Sequence, residues 1–67
     1  MKLGKYKHYK GKYYQVLGVA THSENKEELV IYKALYDEDK LFARPKAMFE
    51  ENVMIEGKEI PRFKFNN

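Results

Sequence analysis

Three consecutive polar residues, His22, Ser23 and Glu24, have the types that acid–base chemistry uses. Neighbouring residues on a strand point to opposite faces, so a serine directly after a histidine is badly placed to be activated by it. No glycine-flanked nucleophile elbow surrounds this serine. We therefore interpret the segment as a strand end followed by a turn. The alternative is a small enzyme in which His22 acts as general acid or base and Glu24 orients it.

Arg44 is the second candidate, because the following Pro45 fixes the backbone next to it. Its guanidinium presents a planar fork of donors that suits a carboxylate, a phosphate or a nucleobase edge. Alternatively, Arg44 forms an ion pair with Glu24 or with an acid of residues 37–39.

Metal chemistry has little support in the sequence. The two histidines, His8 and His22, together with Glu24 and the acidic run at residues 37–39, match no short metal-ligand motif. The chain contains no cysteine, which excludes a thiolate zinc site and a disulfide framework. No glycine-rich phosphate loop is present either. We expect neither a metal nor a cofactor.

Lysines and tyrosines alternate near the N-terminus. Residues 1–16 carry lysines and no acid, although the net charge of the whole chain is only +3. Basic side chains beside exposed aromatic rings can neutralise phosphates and stack on bases, so this segment predicts a surface that contacts nucleic acid or a modified base. The basic part of that surface comprises Lys5, Lys7, Lys10 and Lys12. In the alternative, the tyrosines pack inward, the lysines protect an edge strand, and the partner is a protein or a peptide.

The 67 residues are enough for one domain, which we expect to span 1–67. With 43% hydrophobic and 34% charged residues, the composition is typical of a small globular protein. The longest uncharged apolar runs are too short to span a membrane, and no secretory signal is evident. We expect a cytoplasmic monomer or weak dimer.

Hydrophobic residues alternate with a period of two through the first half of the chain, which indicates strands at residues 6–10, 13–22, 28–36 and 41–44. Gly18 in the second of these predicts a bulge. Polar turns are expected at residues 23–26 and 37–40, a short helical turn at 45–51 and a final hairpin at 53–60. Five or six short antiparallel strands with one helical turn favour an all-β fold, a small SH3-like barrel.

The strand pattern also predicts the core. The residues that we expect to supply most of it are Tyr14, Val16, Leu17, Val19, Leu29, Ile31, Leu35, Phe42 and Phe49.

The strand order predicts where the candidate residues meet. A hairpin over residues 23–27 places His22 and Glu24 near Tyr32, and antiparallel pairing of residues 41–44 returns Arg44 to the same edge. We expect these four residues to lie together. With Tyr9 and Tyr36 they form a candidate binding site that has aromatic walls and a few directed polar groups.

A long ordered set of short motifs runs through the chain: GKY at 4–6, HYKG at 8–11, YQVLGVA at 14–20, HSE at 22–24, RP at 44–45, MF at 48–49 and IPRF at 60–63. Together they resemble a family of short bacterial proteins catalogued as domain of unknown function 1653. The resemblance implies a small, mostly β, SH3-like domain from a bacterium. It implies no established activity, so it predicts a fold and leaves the function open.

Overall fold

The computed structural model describes residues 1–66, apart from the side chains of residues 38 and 39. The elements are β1 (Gly4–His8), β2 (Tyr13–Thr21), β3 (Glu28–Ala34), β4 (Asp37–Pro45), α1 (Lys46–Phe49), β5 (Asn52–Ile55), β6 (Lys58–Pro61) and β7 (Phe63–Phe65). All the strand pairs are antiparallel, so the expected mostly-β architecture with one helical turn after Pro45 is confirmed. The described residues form seven strands, because β7 is a strand of its own.

Five strands make the main sheet in the order β4-β3-β2-β1-β7, and β5 and β6 form a separate hairpin. Within the described part of the chain, β4 and β7 are the open edges of the sheet and do not pair with each other. The described strands therefore form a sheet that does not close into a barrel. The sheet nevertheless curls, since the ring centroid of Phe63 on β7 lies 5.6 Å from that of Tyr32 on β3.

Strand β2 contains the bulge that Gly18 predicted. Val16 lies opposite Tyr32 on β3, and the next partners along the strands are Gly18 and Ile31. One residue of β2, Leu17, is left without a partner at this shift. A bulge of this kind bends a strand and changes which face each later residue occupies.

The main core lies on one face of the sheet, which we call the inner face. Phe49 of α1 is 1% exposed and stacks in parallel on Phe63, with 4.1 Å between the ring centroids. Tyr6 and Tyr32 contact Phe49 edge-on at 5.4 Å and 5.3 Å. The other buried residues of this cluster are Val16 and Val30, with Tyr14, Phe42 and Phe65 packed against it.

Several expected core residues lie elsewhere. Leu17, Val19 and Leu35 are exposed, and Leu29 and Ile31 are only partly buried. Alternation along β3 buries Val30, Tyr32 and Ala34 and places Leu29 and Ile31 on the opposite, outer face. Residues 29–31 are all apolar, so periodicity alone does not select the buried face. The aromatic residues of β2 and β7 select it, because Tyr14 and Phe63 pack against Tyr32.

The second polar turn also differs from the prediction. The turn occupies Leu35 and Tyr36, and β4 begins at Asp37, which pairs with Ala34. Residues 37–40 are therefore part of a strand. Polar and charged residues are compatible with β4 because it is an edge strand, with one side of its backbone free of sheet partners.

Candidate functional site

The predicted site residues His22 and Glu24 belong to the turn between β2 and β3. The Nδ1 atom of His22 accepts a hydrogen bond from the backbone N–H of Glu24 at 3.1 Å. The backbone of His22 bonds to Glu27 and Lys26 at 2.8 Å and 2.9 Å. These contacts are those of a turn, and they occupy Nδ1, one of the two ring nitrogens of His22.

Tyr32 and Arg44 do meet. The Nε–H of Arg44 donates a hydrogen bond to the hydroxyl of Tyr32 at 3.3 Å. Arg44 lies opposite Val30 on β3, and Val30 faces Val19 of β2 on its other side. His22 lies three residues beyond Val19 and two strands from Arg44, so strand spacing separates their Cα atoms by about 14 Å. The expected cluster of four therefore divides into two separate pairs, which corrects the prediction.

Among the described side chains, Arg44 does not form the ion pair that was its alternative role. Among the described residues, no carboxylate lies within ion-pairing distance of its guanidinium, Glu24 included. The side chains of residues 38 and 39, two of the acids considered as partners, lie outside the described part of the chain. The guanidinium lies over the ring of Phe63, with 5.9 Å from Cζ to the centroid. The two terminal nitrogens thus have no described partner.

An aromatic cluster surrounds Arg44 on the inner face. Tyr14 is at its centre, with ring centroids of Tyr32 and Phe63 at 5.5 Å and 5.6 Å. Its hydroxyl lies 3.2 Å from that of Tyr36, a predicted site residue that is 56% exposed. We call Tyr14, Tyr32, Tyr36, Arg44 and Phe63 the inner site.

His8 connects this inner site to the edge of the sheet. Its ring centroid lies 4.9 Å from that of Phe63 and 6.2 Å from that of Tyr14. His8, Tyr14 and Phe63 were not among the predicted site residues. The period-two pattern on β1 and β2 gave the available signal, since Tyr6, His8 and Tyr14 are aromatic residues at alternate positions.

Burial and charge set the protonation of this region. Burial, reinforced by the hydrogen bond to Tyr36, raises the pKa of Tyr14 to about 12. Burial lowers the pKa of His8, and the positive charges of Arg62, Lys10 and Arg44 lower it further. At neutral pH, Tyr14 and His8 are therefore uncharged, and the net charge around them is that of the nearby cations.

The four predicted basic residues divide among three places. Lys5 and Lys7 project from the outer face, where their Nζ atoms lie 5.2 Å and 5.6 Å from the ring centroid of Tyr13. Lys10 lies over Tyr9 in the β1–β2 turn at 5.8 Å. Lys12, just before β2, lies over Tyr36 at 4.5 Å and so belongs to the rim of the inner site.

Lys7 has an unusual cross-strand neighbour. It pairs directly with Lys64 on β7 and, on its other side, with Tyr13 on β2. Like charges directly opposite each other in an antiparallel pair are destabilising. Positive charge is thus concentrated where a sheet would ordinarily place an acid. We call this group the basic row; it comprises Lys5, Lys7, Tyr13 and Lys64.

A groove of about 410 Å³ adjoins the basic row. Its walls include Lys7, His8 and Tyr9 on one side and Ile60, Pro61 and Lys64 on the other. No aspartate or glutamate lines it. We call it the edge groove; it places two lysines, a tyrosine and a proline around a space large enough for a nucleotide.

Neither a metal-binding cluster nor a membrane-spanning helix is present in the described part of residues 1–66. Among the described side chains, which exclude those of residues 38 and 39, no group of three or more histidine, aspartate and glutamate residues is arranged to hold a metal ion. No helix in that range has the length and hydropathy needed to cross a membrane.

Residues 4–65 match the model of a family described as protein of unknown function DUF1653. The chain belongs to this family. A crystal structure of a DUF1653 protein from Bordetella bronchiseptica is similar to it, with a TM-score of 0.89 and 32% sequence identity. That similarity covers 98% of this chain and 87% of the Bordetella chain, so the fold described here is shared across the DUF1653 domain. The comparison with curated proteins found no match.

Proposed function

We propose that this DUF1653 protein is a non-catalytic module that binds single-stranded nucleic acid through the edge groove and the basic row. The observation that carries the proposal is the direct cross-strand pair of Lys7 and Lys64 at the groove. An anion placed between the two ammonium groups offsets their mutual repulsion, and a phosphodiester is such an anion.

Aromatic rings on both sides of this pair support a nucleic acid over a simple anion. Tyr9 lines the groove, and Tyr13 is the neighbour of Lys7 on β2. Tyr13 is 38% exposed, so one of its faces becomes available when the flexible lysines move toward a phosphate. Sequence-tolerant binders of single strands combine a basic track with tyrosines on which bases stack.

The fold supports a binding role by analogy. We also propose that this small, curled antiparallel sheet with one short helical turn is an SH3-like domain. The alternative enzyme with His22 as general acid or base gains no support from the turn contacts of that residue. A protein or peptide partner remains the competing hypothesis, and the experiment below separates it from nucleic acid.

Fluorescence anisotropy with labelled oligonucleotides of about twelve nucleotides tests the proposal. We expect single strands to bind at low salt, with affinity that falls as salt rises. In the double variant Lys7→Gln/Lys64→Gln, the slope of log K against log salt should fall by about 1.4, since each phosphate contact on a single strand contributes about 0.7. Tyr9→Ala should weaken binding by about 1–3 kcal/mol with little change in that slope.

Lys58→Gln is the matched control, because Lys58 is an exposed lysine on the separate β5–β6 hairpin. It should leave both the affinity and the salt slope nearly unchanged. If Lys58→Gln lowers the affinity as much as the Lys7/Lys64 double variant does, the loss reflects the net charge of the protein and not a site at the groove. If no oligonucleotide binds at about 100 μM protein in low salt, the nucleic-acid proposal is wrong and a protein or peptide partner is favoured.

A further inference from the structure

We infer that the inner site binds a guanine base of the bound strand, with the two terminal nitrogens of Arg44 as the reading group. This inference rests on the proposed function, and it adds a base preference to a surface that otherwise recognises only charge and stacking. It starts from Arg44, the half-buried cation for which the described residues provide no carboxylate.

Arg44 is held in one orientation by two contacts. Its Nε–H donates to the Tyr32 hydroxyl at 3.3 Å, and its Cζ lies 5.9 Å from the ring centroid of Phe63. Tyr32 is itself 4% exposed, so the hydroxyl that fixes the guanidinium is anchored in the core. Because Nε–H is directed at Tyr32, the two terminal nitrogens, which carry the paired donors, are directed away from that residue.

The surroundings of Arg44 favour a ring-bearing ligand over a bare oxyanion. Tyr14 and Tyr36 present hydroxyl groups beside aromatic surface, and Tyr36 is more than half exposed. Lys12 lies over the Tyr36 ring and adds a cation at the rim, where a backbone phosphate can be neutralised. A planar base can therefore find stacking, hydrogen-bond donors and a phosphate contact in one place.

The inner site adjoins the edge groove through His8. His8 lines the groove, and its ring packs against Phe63 and Tyr14 of the inner site. A strand whose phosphates lie at Lys7 and Lys64 can thus extend past His8 and place a neighbouring base near Arg44. The two sites then act on one ligand.

Guanine is the base that matches this arrangement. Its O6 and N7 atoms are adjacent acceptors, and paired arginine donors bind them in the commonest base-specific contact of proteins. Adenine presents a donor beside its N7, so one arginine nitrogen would face an amino group. Cytosine and uracil lack the N7–O6 edge altogether.

Mononucleotides test the base preference without relying on the edge groove. In NMR titrations that follow the Nε–H signal of Arg44, we expect guanosine monophosphate to bind about tenfold more tightly than adenosine monophosphate. Cytidine and uridine monophosphates and inorganic phosphate should bind more weakly than the guanine nucleotide. Equal affinities for the nucleotides, or the same response to phosphate alone, would overturn the inference.

Variants assign the preference to Arg44. Arg44→Lys keeps the charge and loses the paired donors, so it should abolish the guanine preference and retain weak binding of every nucleotide. Tyr32→Phe keeps the arginine and removes the hydroxyl that positions it, so it should reduce the preference in part. Arg62→Lys, at the only other arginine of the chain, should leave the preference unchanged. A preference that survives Arg44→Lys in folded protein contradicts the assignment.

Oligothymidylates with and without a single central guanine complete the test. Tighter binding of the guanine-containing strand, lost in Arg44→Lys with an unchanged salt slope, supports both proposals. Salt-dependent binding with no guanine preference leaves the proposed function standing and removes this inference. If neither strand binds, the proposed function fails, and the mononucleotide titration alone decides whether Arg44 recognises guanine.

Discussion

The guanidinium of Arg44 lies 5.9 Å above the ring of Phe63, although the two residues belong to opposite edge strands of the sheet. The contact is possible only because the sheet curls and brings β4 and β7 toward each other over the core. This contact joins Arg44 of the inner site to β7, the strand that also carries Lys64. The curl is therefore what places the proposed base-reading arginine near the proposed phosphate-binding groove.

The stacked pair of Phe49 and Phe63 predicts the largest loss of stability in the domain. Phe49→Ala should lower the free energy of unfolding by about 3–5 kcal/mol, because it removes a fully buried ring and leaves a cavity. Urea denaturation followed by circular dichroism measures it. Met48→Ala on the same helix is the control; Met48 is 46% exposed, and a change within about 0.5 kcal/mol is expected.

Two neighbours on β3 test the assignment of faces. Val30→Ala should cost about 1.5–3 kcal/mol, since Val30 is fully buried on the inner face. Ile31→Ala removes more carbon atoms but should cost less, because Ile31 lies on the outer face and is only partly buried. Parallel urea titrations compare the two. A larger loss for Ile31→Ala would show that the outer face is covered, as in a dimer.

The hydroxyl pair of Tyr14 and Tyr36 predicts alkaline behaviour. Tyr14 has its pKa raised from 10.0 to about 12 in the folded chain. Between these values the unfolded chain ionises this tyrosine and the folded chain does not, so stability should be complete below pH 10 and fall as pH rises toward 12. Absorbance titration of phenolate measures the pKa. Tyr36→Phe should lower it, because the hydrogen bond that favours the neutral form is lost; an unchanged pKa would leave burial as its sole cause.

His8 predicts the opposite dependence at acidic pH. Its pKa in the folded chain is lowered below 6.5 by burial and by nearby Arg62, Lys10 and Arg44. The unfolded chain therefore binds this proton first, so stability should be complete above pH 6.5 and decline as pH falls through the folded pKa. NMR titration of the ring protons gives the folded value. Urea midpoints between pH 7.5 and 5 give the linkage, which His8→Gln should diminish. A ring that titrates at or above 6.5 would contradict this prediction.

Local signals in the sequence were sufficient for much of the architecture. Gly18 marked the bulge in β2, and Pro45 marked the start of the only described helix. The β5–β6 hairpin followed from its central Gly57, which adopts a positive φ of 78°. Each of these features depends on the backbone preferences of a few adjacent residues, which a sequence states directly.

Other features required contacts between distant segments. Leu29, Val30 and Ile31 are all apolar, so their pattern left open which face of β3 is buried. The prediction that His22 lies beside Arg44 assumed that both residues lie at the same edge of the sheet. The register of β2, β3 and β4 separates them.

The amino-acid sequence by itself determined most of the strands, the first polar turn, the basic aromatic segment and the family to which the chain belongs. Tertiary structure alone decided that the sheet curls without closing, that Phe63 enters the core, and that Lys7 faces Lys64. The physical reason is that face, register and curl follow from packing rings of β1, β3 and β7 around Phe49 of α1. That packing removes the large rings from water by joining segments distant in the sequence, and no local segment encodes it.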